Sequence, residues 1–140
     1  MRYIIYFLIF GTTLTSCVKE KTLSAHDIVD NTIKISGGEK YLTAEIDFDF
    51  RDIHYRSVRE SGKFQYERNF NDSIGSVKDV LNNEGFQRFI NNEIAKIPDS
   101  MAVKYTSSVN SVHYFALLPF GLNDAAVNKS SLEDVTINTK

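Results

Sequence analysis

From Ile46 onward the apolar residues of this chain recur at every second position, and that period limits the fold more than any other feature. Ile46, Phe48 and Phe50 share one parity, while Glu45, Asp47, Asp49 and Arg51 share the other. Side chains on a strand point alternately to its two faces, so this is the pattern of a strand with one buried and one wet face. The apolar phase slips by one near Asp52, to Ile53 and Tyr55, which reads as a bulge or bend. Ser61-Gly62 is hairpin-turn chemistry leading into Phe64, Tyr66, Arg68 and Phe70, and Asn71-Asp72-Ser73 supplies the next turn. Ile74 to Leu81 is expected as a third strand, Asn82-Asn83-Glu84-Gly85 as its turn, and Phe86 to Ile90 as a fourth. Asn91-Asn92 then turns into a short strand, Glu93 to Ile97, closed by Pro98.

Helical spacing flanks this meander of antiparallel strands. Ser24 caps a helix and Asp27 completes a capping box. Ala25, Ile28, Val29, Thr32, Ile33 and Ser36 recur at helical intervals, and Gly37-Gly38 supplies the stop. Pro98-Asp99-Ser100 opens a second helix by capping chemistry. Its stripe runs through Met101, Ala102, Tyr105, Ser108, Val109, Val112, Phe115 and Ala116 until Pro119. Gly121 to Lys129 is expected as loop, and Val135 to Ile137 as the start of another strand. The fold class is α+β: a curved antiparallel sheet, a half-barrel, with its aromatic face covered by two helices.

Composition agrees with one folded domain. The 140 residues carry 16 Lys and Arg against 18 Asp and Glu, and 42% of them are hydrophobic. Neither a nucleic-acid footprint nor an acidic tail is present.

The N-terminus reads as an address. Arg2 precedes the apolar run Tyr3 to Phe10, and no charge follows until Lys19. That is the layout of a signal peptide, too short to span a bilayer. Leu14-Thr15-Ser16-Cys17 then resembles the lipobox of bacterial lipoproteins, in which the Cys is acylated and becomes the new N-terminus. Residues 1–16 are therefore expected as signal peptide, 17–22 as a lipidated tether and 23–140 as a single domain. Cys17, the only cysteine, is the expected lipidation site and the membrane anchor. No Asp follows it in Val18-Lys19-Glu20-Lys21, which points to the outer membrane; the side the domain faces stays open.

No catalytic signature is found. Asp47, Asp49 and Asp52 form a solvated strand face, and His26, His54 and His113 lie in separate elements without metal-ligand spacing. Ser107, Ser108 and Ser111 lack a nucleophile elbow. Gly37-Gly38 has no phosphate-cradle context. The expectation is a non-enzyme without metal, cofactor or nucleic-acid partner.

The run from Asp27-Ile28-Val29-Asp30 to Gly37-Gly38, the aromatic strand pair, the Asn82 to Phe86 turn and the segment Tyr114 to Asp124 resemble an uncharacterised family of bacterial lipoproteins. That family is distantly similar to the outer-membrane lipoprotein carriers and receptors of the LolA/LolB type. The resemblance implies a half-open antiparallel barrel closed by helices around an apolar cavity. Such proteins continue for several strands beyond Leu132 to Lys140, so the chain is expected to match the N-terminal part of the fold and to be C-terminally truncated.

The aromatics decide between two readings. Phe48, Phe50, Phe64, Tyr66 and Phe70 on one sheet face, with Tyr105 and Phe115 on the helix above, either fill a core or line a pocket for an acyl chain. In the first case the protein is a structural or interaction lipoprotein with an unidentified protein partner. In the second it is a lipid-anchored envelope protein that binds a lipid or other apolar ligand without covalent chemistry.

Overall fold

The computed structural model describes residues 22–133 and 135. Six strands, β1 (Glu45–Phe50), β2 (Ile53–Glu60), β3 (Lys63–Asp72), β4 (Gly75–Asn82), β5 (Gly85–Ile90) and β6 (Glu93–Ile94), form one antiparallel sheet in the order of the chain. The sheet is open and curved and does not close into a barrel. With helices α1 (Ala25–Ser36) and α2 (Asp99–Ala116) it makes an α+β fold.

Three of the five hairpins turn through residue pairs with positive φ: Arg51 and Asp52 at 52° and 61°, Ser61 and Gly62 at 49° and 86°, Asn91 and Asn92 at 50° and 69°. Such pairs suit two-residue turns, whose twist matches that of the flanking strands. Arg51-Asp52 corrects the expected bulge. Phe50 faces Ile53 across the turn, so the chain reverses there and two strands replace one. The turn after β3 falls at Ser73-Ile74 and β4 opens at Gly75, one residue later than Ile74. β6 is only two residues long, shorter than Glu93 to Ile97.

Register carries one parity across all the strands. Phe48 pairs with Tyr55, Tyr55 with Arg68, Arg68 with Asp79 and Asp79 with Arg88. This is the face over which α2 lies. The hydrophobic core holds Tyr66 and Leu81 of the sheet with Val109 and Leu117 from above, flanked by Tyr41, Ile46, Phe64 and Phe86.

The capping box of α1 is present, with the Asp27 amide donating to Ser24 Oγ at 3.1 Å and the Ser24 amide to Asp27 Oδ2 at 2.9 Å. No residue of α1 is buried. The helix packs against the 3₁₀ segments Gly38–Leu42 and Phe120–Asn123, leaving Ile28 and Ile35 toward solvent. α2 starts after Pro98 without a side-chain cap, contrary to the expected capping chemistry. Its buried residues are Val109 and His113. Phe115, only two positions beyond His113, lies on the opposite side of the helix and is 69% exposed. Beyond Pro119, where loop is expected, Phe120–Asn123 forms a 3₁₀ turn. Val135 is exposed and outside any strand, against the strand expected there, while residues 136–137 lie outside the described residues.

Candidate functional site

The sheet's covered face buries charge as well as hydrocarbon. Arg68 and Arg88 are each 8% exposed, and Asp79 between them is fully buried. Arg88 grips Asp79 with two bonds, Nε to Oδ1 at 2.7 Å and an Nη to Oδ2 at 2.9 Å. Arg68 donates to Oδ2 from Nε at 2.9 Å and from an Nη at 2.5 Å, and its other Nη reaches Ser108 Oγ on α2 at 2.8 Å. Tyr105 lies 3.6 Å from the Arg88 guanidinium and Phe70 lies near both arginines. Hydrogen bonding to Asp79, acting against burial, holds the Arg88 pKa above its usual value. Two cations on one anion, with an α2 hydroxyl completing the shell, fasten the helix to the sheet.

His113 is buried one strand over. Its Nε2–H donates to the Glu67 carbonyl at 3.1 Å, its ring stacks on Tyr66 at 4.4 Å, and Phe48 and Tyr55 meet it edge-on. Burial pushes its pKa down to about 4; the charge of Arg59 adds to this and the carbonyl bond opposes it. A neutral imidazole packed among aromatics on all these sides is core.

The cavity lies beside that core, between the end of α2 and α1. Its volume is about 410 Å³, within the range of small-molecule sites. Arg59 and Tyr66 rise from the sheet, Asn110, Tyr114 and Leu117 descend from α2, and Ile33 closes the α1 side. Phe120, Gly121, Asn123 and Asp124 form the remaining wall. Gly121 permits that wall: a Cβ there would stand 2.6 Å from the Tyr114 ring. Asn123 ties it to α1, donating to Asp30 at 2.7 Å, and Lys129 braces it through Leu122 O and Asn123 Oδ1. A second groove of about 670 Å³ runs between α1 and the first 3₁₀ segment and ends on Leu42. It shares Ile33, Phe120 and Asn123 with the cavity, so these side chains form the partition between the two spaces.

Of the residues expected to line a pocket, Tyr66 alone borders this cavity. Phe64 packs against Tyr66 at 4.8 Å, and Phe48 is stacked on Tyr55 at 5.3 Å. Phe70 lies beside the buried arginines, Tyr105 is half-buried against Arg88 and Phe86, and Phe50 and Phe115 are exposed. The aromatic face is thus mainly core, and the open space lies at its edge. Cys17 falls outside the described residues. Arg59 was missed although a signal existed: it shares the inward parity of Ile53, Tyr55 and Ser57, as Arg68, Asp79 and Arg88 do on their strands.

The opposite face carries a charge network. His54 bridges Asp49 at 2.9 Å and Asp47 at 3.5 Å, and Arg56 pairs with Glu45 at 2.6 Å. Burial alone would raise the Glu67 carboxyl, but hydrogen bonds from Lys78 and Gln65 and the charges of Lys78 and Arg56 hold it below its usual range. Among the described residues no group of three or more His, Cys, Asp or Glu is placed to hold a metal ion.

A model described as a family of unknown function (DUF6503) matches residues 3–140 of the chain. No curated protein and no solved structure matches it.

Proposed function

The chain belongs to the DUF6503 family, a membership that assigns no activity, and from the geometry we propose that it is a lipid-anchored envelope protein binding a small amphipathic ligand without covalent chemistry. The cavity beside Tyr66 carries this reading. It is large enough for a short acyl chain or a comparable apolar body, and the groove beyond Ile33 and Phe120 extends the space for a longer one. Attachment through acylated Cys17 is part of the same proposal, supported by the lipobox and by the apolar run before it. Among the described residues no helix is long and apolar enough to cross a membrane. The distant likeness to the lipoprotein carriers remains an analogy of architecture that fits this reading.

Native mass spectrometry of the gently extracted protein tests it. A co-purifying amphiphile, lost when Asn110 on the α2 wall is replaced by Trp to fill the cavity, is expected; a bare protein that also fails to bind an added fluorescent acyl probe overturns it. Metabolic labelling with a fatty-acid analogue is expected to mark the wild type and miss Cys17→Ser. The alternative, an interaction lipoprotein, draws on the uncovered outer face of the sheet, where Val80 and Phe89 border a groove beside Lys78. It predicts protein capture through that face and no amphiphile.

A further inference from the structure

Arg59 is placed on the covered face by the ladder that places the other inward residues. It faces Phe64 on the neighbouring β3, and its amide donates to the Ala44 carbonyl at 3.0 Å. Unlike Arg68 and Arg88, it meets no carboxylate within ion-pair distance among the described residues. The guanidinium is held by rings instead, 5.4 Å from the Tyr66 centroid and 5.0 Å from that of Phe120. One Nη donates to the Tyr66 hydroxyl. Nε is buried and finds no hydrogen-bond partner among the described residues. A buried donor left in this state costs free energy. Arg59 lines the cavity, so an acceptor there meets the outer nitrogens of its delocalised fork rather than the buried Nε.

We propose that Arg59 is the headgroup-recognition residue of the cavity, and that its ligand is a single-chain amphipathic anion. This rests on the cavity being a binding site. The Tyr66 hydroxyl, accepting from Arg59, keeps its own proton to donate, so Arg59 and Tyr66 offer convergent donors to one oxyanion. Leu117, Phe120 and Ile33 supply apolar wall for the chain. Asp124 on the same wall has one carboxylate oxygen engaged by the Ala126 amide at 2.9 Å, and its charge opposes any anion in the cavity, a dianion more than a monoanion. A carboxylate therefore fits better than a phosphate monoester, although both present the shared chemistry.

The test titrates octanoate, octyl phosphate and 1-octanol against the full chain in lipid nanodiscs by calorimetry, with empty nanodiscs as the blank. Octanoate is expected to bind at least about tenfold more tightly than octanol, as one charge-assisted contact implies. Arg59→Met should bring octanoate to the level of octanol while leaving octanol unchanged, and Arg59→Lys should retain part of the preference. Should Arg59→Met not fold, Tyr66→Phe gives the same reading through a several-fold loss of the preference. Octyl phosphate tighter than octanoate would move the headgroup from carboxylate to phosphate and keep the role of Arg59. Equal binding of octanoate and octanol, insensitive to Arg59, would overturn the anion inference and leave the cavity reading standing. No binding of any of the three would overturn both.

Discussion

Two arginine stations share one face of the sheet and are solved in opposite ways. At β3 to β5, Arg68 and Arg88 are closed around Asp79 under α2, with bonds from both sides and a hydroxyl above. At β2, Arg59 lies against the rings of Tyr66 and Phe120 at the edge of an open cavity, with no carboxylate within ion-pair distance among the described residues. Charge is tolerated inside a fold where it is paired and bonded. The first station meets that condition with the protein's own atoms and is structural. The second meets it only in part, and the ligand proposed above would complete it.

The contrast breaks first at Asp79. Replacing it by Asn leaves two buried guanidinium groups without a counter-ion and should cost roughly 3 to 5 kcal/mol in urea unfolding. Loss of under about 1 kcal/mol there would erase the difference between the stations. His113, behind Tyr66, sharpens it next. In the fold it stays neutral down to about pH 4, whereas in the unfolded chain it titrates near pH 6.5. Unfolding therefore takes up a proton in that window, and stability should fall by about 3 kcal/mol as pH drops through it, with no penalty above. His113→Gln should flatten that part of the profile; an unchanged slope would place the acid sensitivity elsewhere. Away from both stations, Ser24→Ala removes the α1 cap and should cost about 1 kcal/mol, read as a small drop in Tm. Arg59→Met should change stability least, by no more than about 1 kcal/mol, because it breaks ring contacts and one charge-assisted hydrogen bond but no ion pair among the described residues, and it removes a buried Nε that has no partner among them. A loss as large as that of Asp79→Asn would make Arg59 a clamp like the others.

The sequence was legible where local chemistry is decisive. Ser24 and Asp27 announce the start of α1, and Ser61-Gly62 and Asn91-Asn92 announce hairpins, because each motif acts within a few residues. Arg51-Asp52 was not legible: a two-residue turn shifts the inward parity by one just as a bulge does, and Arg is an uncommon occupant of positive φ. Phe115 was misplaced because an apolar residue at a loosely helical interval does not reveal which side of a long helix meets the sheet. The cavity was hidden for a different reason. Its walls come from α1, β2, β3, α2 and the 3₁₀ segment after it, and whether such a junction closes depends on volumes rather than on pattern.

The strand order equals the chain order, and this bears on how the molecule is assembled. Every sheet partner is the next strand along, joined by a tight turn, so the loop-closure entropy of each pairing is small and the contact order of the sheet is low. A chain made from its N-terminus can add each strand to the one before as soon as it appears. The cavity has no such shortcut: Ile33, Arg59 and Phe120 meet only when the last helix has swung back and the 3₁₀ segment behind it has reached α1. The cavity is therefore the part of the domain that depends on the most distant stretches of chain, and a ligand of the kind proposed would bind only once the whole fold is complete.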